Sequence, residues 1–239
     1  KETIYGAMAT VYLRPVQTVE TIFAESAFLN KASSVTLGYM DREIEKGSNT
    51  TDGDSAALSG RYVSGEKYIF EAHYSDGDAI DKELIKTDSK SYGFGIGHYI
   101  DDLTSLVLNY SRVDDDGASN KLDNYLLTLK SIVDPTETDR AVGTVAFGIS
   151  QNTVANTVIN LNAGLDYYFG PRLSVGGNIG LVFPNNGNDE NTYGLNSRYF
   201  FSERISVGAS YQHTIFQEEE GAASVDASDT FTLSLTGRI

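Results

Sequence analysis

The chain has 239 residues, no cysteine, no tryptophan, 23 glycines, 15 tyrosines and a formal net charge of −15, from 18 lysines and arginines against 33 aspartates and glutamates. The lack of cysteine excludes a disulfide scaffold, a thiol enzyme and a cysteine-ligated zinc protein, and so acidic a balance repels a phosphate backbone, which excludes nucleic acid as a partner. No apolar run comes near the roughly 18 residues of a membrane-spanning helix, and no leader precedes Lys1, which is read as a cytosolic protein or a processed mature chain.

Taken in chain order, the dominant signal is alternation of apolar and polar residues, which puts successive side chains on opposite faces of a strand. It predicts thirteen strands, at about 4–14, 34–45, 54–64, 67–76, 90–100, 103–113, 121–133, 141–151, 157–169, 172–183, 191–202, 204–216 and 228–239. The pattern is noisy between Tyr125 and Ile132 and from Ala141 to Ser150, and sharpens towards the C-terminus. Leu161, Ala163, Leu165, Tyr167 and Phe169 oppose Asn160, Asn162, Gly164, Asp166 and Tyr168; Ile205, Val207, Ala209 and Tyr211 oppose Ser206, Gly208, Ser210 and Gln212; Phe231, Leu233 and Leu235 oppose Thr232, Ser234 and Thr236. Most of these runs have ten to thirteen residues. Globular strands average about five or six, whereas a tilted strand crossing a bilayer needs about nine to eleven.

The connections alternate in length. Ser64-Gly65-Glu66, Asp101-Asp102, Gly170-Pro171-Arg172 and Ser202-Glu203 are tight turns and Asp134 to Arg140 is a little longer, while Lys46–Asp54, Gly77–Lys90, Asp114–Asn120, Pro184–Glu190 and Gln217–Ser228 are long and polar. Short turns on one side and long loops on the other mark an outer-membrane barrel. All four prolines, Pro15, Pro135, Pro171 and Pro184, fall at strand ends or turns, where a missing ladder donor costs little. A soluble β-sandwich is the competing architecture, but it needs charges on its solvent face, and here the polar face is mostly Gly, Ser, Thr and Asn with the charges moved into loops. An apolar face against lipid, a polar face against enclosed water and closure of the sheet edges explain that distribution. Tyr62, Tyr68, Phe169, Tyr199 and Phe201 cluster beside the short turns as an interfacial girdle. The expected fold is therefore all-β, an antiparallel up-and-down transmembrane β-barrel of about 12–14 strands, one domain over 1–239, with 1–33 holding the first strand and a periplasmic connection and 34–239 twelve further strands.

Parity leaves the N-terminus open. If 228–239 descends to the periplasm, 4–14 also descends, and a barrel entered and left from the periplasm needs an even strand number. Either an upstream strand completes fourteen, or 34–239 forms twelve and 1–33 does something else; Phe23 to Leu29 has helical character and suits a short periplasmic helix in both. Tyr12-Leu13-Arg14-Pro15-Val16 followed by Phe23-Ala24-Glu25-Ser26-Ala27-Phe28-Leu29-Asn30-Lys31-Ala32-Ser33-Ser34-Val35 resembles the start of a family of outer-membrane porins from Gram-negative bacteria. In that family a strand ends in an aromatic-x-Pro-Val motif and an Ala-Glu-Ala-Ala-Phe-Leu-like stretch leads to the next. The motif covers about a tenth of the chain, and the resemblance implies residues upstream of Lys1. The terminal Ile239, after alternating apolar positions, partly resembles a barrel-assembly signal that usually ends in Phe.

With the polar face as the lumen, Arg14, Arg61, Lys130, Arg198 and Arg238 point inward near the periplasmic ends of descending strands, forming a basic collar that would attract counter-ions. Glu71, His73 and Asp166 also point inward and partly offset it, and pairing of these cations with acids, merely filling the lumen, is the competing reading. The outer loops are acidic, through Asp114, Asp115, Asp116, Glu218, Glu219 and Glu220. Clustered carboxylates suit divalent cations, which bridge lipopolysaccharide, but a solvated rim is favoured and no metal site is assigned. His73, His98 and His213 belong to no nucleophile or zinc motif, so no catalytic residue, enzyme activity or cofactor is expected. The expectation is a porin of the bacterial outer membrane, monomer or homo-oligomer, in contact with the lipid bilayer and lipopolysaccharide and passing small hydrophilic solutes or ions by diffusion. The alternative is a non-conducting barrel with a structural or surface-interaction role.

Overall fold

Runs of Val, Leu, Tyr and Phe alternating with Ser, Thr, Asn and Gly favour extended backbone and give each strand one greasy and one polar face. The computed structural model of the chain describes residues 2–17, 23–46, 49–81, 86–115, 120–134, 139–152, 156–185, 189–202, 205–217 and 226–237. The strands are β1 (Glu2–Tyr12), β2 (Ser34–Lys46), β3 (Asn49–Ser64), β4 (Tyr68–Asp81), β5 (Lys86–Tyr99), β6 (Thr104–Asp115), β7 (Asn120–Val133), β8 (Arg140–Asn152), β9 (Thr157–Phe169), β10 (Leu173–Pro184), β11 (Asp189–Phe200), β12 (Ile205–Gln217) and β13 (Asp226–Gly237). Each pairs antiparallel with its sequence neighbours in a single sheet that wraps into a nearly closed barrel. Between β1 and β2, a 3-10 turn at Phe23–Glu25 runs into α1 (Ser26–Leu29).

The ladders extend past the expected strand ends at the long-loop side. β3 begins at Asn49, β4 continues to Asp81 and β6 to Asp115, so Asp114 and Asp115 lie in a strand rather than a loop. Cross-strand charge pairing supports the extension: Asp114 stands opposite Lys121 of β7, with Oδ1 3.7 Å from Nζ. Asp116 and Glu218 to Glu220 lie outside the described residues.

Register fixes which face is which. Leu37 and Tyr39 of β2, Tyr62 and Leu58 of β3, Phe70 and Tyr74 of β4, Ile96 and Phe94 of β5, and Leu233 and Phe231 of β13 are all well exposed. On strand after strand this outer band runs through about eight residues and ends in a tyrosine followed by charge: Tyr39 then Asp41, Tyr74 then Asp76, Tyr92 then Lys90, Tyr110 then Arg112, Tyr125 then Asp123, Tyr211 then His213. Eight residues at about 3.3 Å each span about 26 Å of strand, or about 20 Å along the axis at the usual tilt of about 40°, close to the ~25 Å apolar band of an outer-membrane barrel with its aromatic borders. The girdle expected beside the short turns faces outward as well, with Tyr62 stacked on Phe70 at 6.4 Å and Tyr199 edge-on to Phe201 at 5.3 Å.

β1 pairs along its whole length with β2, from Glu2 opposite Ile44 to Tyr12 opposite Ser34. It therefore runs towards the short-turn end, the direction that β13 also takes. Among the described residues neither β1 nor β13 has a second neighbour, and their side chains are correspondingly open, Met8 at 66% and Leu235 at 79%.

Candidate functional site

The one conventional hydrophobic cluster among the described residues lies inside the barrel at its short-turn end, and it is built around residues 23–33. Local bonds make this segment compact. Asn30 donates from its side-chain nitrogen to the carbonyls of Ser26, at 2.7 Å, and Gln17, at 2.8 Å, while Gln17 N donates to its Oδ1 at 3.2 Å. Ser26 is fully buried and donates to the Phe23 carbonyl. Lys31 takes a positive φ of 49°, which ends the helical turn and sends the chain back to the wall. There Val63 N donates to Ser33 Oγ at 2.9 Å and Leu13 N to the Ser33 carbonyl.

The wall meets the segment with apolar side chains. Inward positions are polar along most of each strand, but at the short-turn ends they become Val63, Ile69, Tyr99, Val107, Ile132, Val142 and Tyr168, which pack with Phe28 in one cluster. Phe28 lies 5.2 Å from the Tyr99 ring, and Phe23 meets Phe200 edge-on at 6.0 Å. Phe23 N also donates to the carbonyl of Pro171 in the β9–β10 turn. Residues 23–33 thus touch strands from β3 round to β11 and plug the short-turn mouth. The sequence suggested a periplasmic helix between strands; its position inside the mouth follows from the apolar inner ends it covers.

Charges hold the plug at two places. Glu25 takes both Lys130 Nζ of β7 and the Tyr168 hydroxyl of β9, the latter donating at 3.4 Å. Lys130 Nζ also sits over the Phe28 ring, 5.0 Å from its centre. At the other end Lys31 donates to Asp102 of the β5–β6 turn at 2.7 Å. That hydrogen bond, together with the lysine's charge, holds the Asp102 carboxyl below its ordinary 3.8. A lowered folded-state value means that the contact contributes in full above the ordinary value and is lost as pH falls through the lowered one. Plug protection against an added protease is therefore expected to be higher in wild type than in Asp102→Asn at pH 6, with the difference vanishing at the acid end of the titration.

Above the plug the interior is polar and divided. One cavity of about 400 Å³ reaches from Thr10 of β1 across to Thr128 of β7, and another, of about 460 Å³, is bounded by Glu71, His73, Asn109, Asn124 and Asn160. Glycine makes room there. A β-carbon on Gly93 would collide with the His73 ring, and one on Gly95 with the Asn109 amide, so Gly93-x-Gly95-x-Gly97 serves close packing in the lumen rather than phosphate binding.

The residues singled out in the sequence fall as follows. Arg61 of β3 stands opposite Glu71 of β4 and pairs with it at 2.7 Å, and also donates to the Tyr99 hydroxyl at 3.3 Å. Lys130 is engaged by Glu25, and Arg198 of β11 lines a polar cavity of about 250 Å³ with Glu25 and Asp166. Arg14 sits in the bend after β1 and is exposed, while Arg238 lies outside the described residues. His73 is on the inner face; His98 shares the outer face with Ile96 and Phe94; His213, also outward, bonds Asp229 through Nδ1 at 2.8 Å. Sequence reasoning missed the plug's acceptor wall, although a signal existed: apolar residues occur on both faces at strand ends, as in Tyr62-Val63, Tyr68-Ile69-Phe70, Tyr167-Tyr168-Phe169 and Tyr199-Phe200-Phe201.

A polar interior inside a lipid-facing apolar sheath is the construction of an outer-membrane β-barrel, and no helix among the described residues is long and apolar enough to cross a membrane. The family described as "Putative general bacterial porin" matches residues 2–132, more than half of the 239, and the chain belongs to that family. Among solved structures it is similar to the Acinetobacter baumannii outer membrane protein Omp33, with 18% identity, a TM-score of 0.60 and coverage of 100% of this chain and 94% of that one. It is also similar to a bacterial polysaccharide outer membrane secretin (10% identity, TM-score 0.58, 99% and 91% covered). KdgM porin in complex with disordered oligogalacturonate is a further match (9% identity, TM-score 0.50, 79% and 94% covered). At these identities the likeness is one of fold. No curated protein matches the chain. It is a porin of the bacterial outer membrane, and family and fold are those of a channel rather than an enzyme.

Proposed function

We propose that the chain passes small hydrophilic solutes or ions by diffusion through the barrel interior, and that displacement of residues 23–33 opens the short-turn mouth. The observation that carries this reading is the polar lining of the cavities above the plug, with Thr10 and Thr128 in one and His73, Asn109, Asn124 and Asn160 in another, enclosed by a wall whose outer side suits lipid. A strand antiparallel to both β1 and β13 would complete an even, closed wall of fourteen, in keeping with the shared direction of those two edges. Lipopolysaccharide borders the acidic outer rim, the barrel works as a monomer or homo-oligomer, and no nucleic-acid binding or catalysis is assigned to it.

Arg61, Lys130 and Arg198 are read as the described part of a basic collar near the mouth, with Glu71, His73 and Asp166 beside them. Reconstituted protein is expected to give single-channel steps, and Arg61→Glu with Arg198→Glu to shift the reversal potential in a salt gradient towards cations. An unchanged potential removes the collar. The second reading, a non-conducting barrel with a structural or surface-interaction role, is favoured by the well-packed plug; it prevails if neither wild type nor plug-loosened variants conduct.

A further inference from the structure

We infer that Lys130, Tyr168 and Arg198 form a carboxylate-binding site in the lumen, which Glu25 of the plug occupies while the mouth is shut and which a small monocarboxylate solute takes over to release the plug. The inference rests on the channel reading and adds to it a ligand class and a means of opening.

Glu25 is the plug's only acidic residue, and its carboxylate goes to the collar rather than to solvent. One oxygen takes the Lys130 ammonium and the other the Tyr168 hydroxyl at 3.4 Å. An ammonium and a phenol converging on one carboxylate, with a guanidinium lining the cavity that Glu25 and Tyr168 share, are the donors that a free carboxylate would use. Beside Glu25 lies a polar cavity of about 250 Å³, walled by Asp166, Ser174, Asn196, Arg198, Ser210 and Ser234. At about 30 Å³ per water it has room for a carboxylate of several heavy atoms.

Charge counting gives the mechanism. Among the described residues at this level of the inner face, Arg61, Lys130 and Arg198 stand against Glu71, Asp166 and Glu25, three against three, and Arg61 is already matched by Glu71 at 2.7 Å. Seated, the plug leaves these six charges balanced. Withdrawal of Glu25 leaves one uncompensated positive charge in an enclosed, weakly screened space, which favours an entering anion. Asp166 remains in the cavity wall, so a single negative charge fits and a doubly charged anion is disfavoured. A tethered Glu25 competes with free solute at an effective concentration of about millimolar, so the site fills only when the solute is abundant and empties readily, as conduction requires.

The natural lack of cysteine permits a clean reporter. Ser26 is fully buried in the seated plug, so Ser26→Cys in the full chain, reconstituted in phospholipid vesicles, should react with an impermeant maleimide only on release. Sodium propionate is expected to accelerate labelling saturably, by about tenfold, while propionamide and sodium sulfate at matched ionic strength do not. Glu25→Gln should label at the accelerated rate without propionate, and Lys130→Gln and Arg198→Gln should each blunt the response to propionate. Heat-modifiable gel migration confirms that each variant is folded, and Arg198→Gln, at a residue that is not itself part of the apolar cluster, serves if Lys130→Gln fails that check. Equal acceleration by sulfate, or a Glu25→Gln variant as protected as wild type, overturns the inference. Conductance of the same vesicles' protein separates the two readings: propionate-dependent labelling without conductance keeps the site and sinks the channel, and conductance without that dependence does the reverse.

Discussion

Phe28→Ala is expected to convert a mostly closed barrel into a mostly open one. The ring is 9% exposed, packs on Tyr99 and lies under the Lys130 ammonium, while the backbone carbonyl of the same residue accepts from the Tyr99 hydroxyl at 3.2 Å. Truncating a buried phenylalanine costs about 3–5 kcal/mol. The strand ladders do not depend on this ring, so the loss falls on the equilibrium between seated and released plug. Since about 1.4 kcal/mol is a factor of ten, the released fraction should rise by about a hundredfold or more. Planar-bilayer recordings would show this as a rise in open probability, with the heat-modifiable gel shift retained. Open probability equal to wild type would mean that residues 23–33 do not control the mouth.

The second large effect separates two adjacent residues. Leu129 of β7 faces outward near the middle of the apolar band, and Thr128 faces the cavity inside. Leu129→Arg places a charge in hydrocarbon, at about 2–4 kcal/mol for a midplane position, whereas Thr128→Arg places it against water. Denaturant unfolding in lipid vesicles should show a lowered midpoint for the first variant and near-wild-type behaviour for the second. Equal losses would mean that the two faces are wrongly assigned.

Most of the wall was legible because alternation is a local property: Leu233-Ser234-Leu235 declares its faces without knowledge of any other residue. Strand ends at the outer side were less legible, since an aspartate reads locally as loop, and the Lys121 that stands opposite Asp114 in the ladder comes from the next strand. The inner site was hardest. Arg61 and Lys130 could be assigned to a face by parity, but their partners could not. Glu71 is ten residues from Arg61 and emerges once the β3–β4 hairpin is drawn, whereas Glu25 is 105 residues from Lys130, and nothing in the period of either segment announces the meeting. Doubly apolar strand tips were the trace left in the sequence, visible as a lapse of alternation but uninterpretable without the segment that covers them.

The placement of residues 23–33 also bears on the order of assembly. Their anchors on the wall are made almost entirely with later strands, as Glu25 with Tyr168 across 143 residues illustrates, and loop closure over such spans is slow. Phe28 can meet Tyr99 once β5 is in place, whereas Phe23 has no Phe200 to meet until β11 has been added. The cork therefore has its full grip only once the far side of the cylinder stands, so the throat is sealed no earlier than the strands that carry Tyr168 and Phe200 are in place.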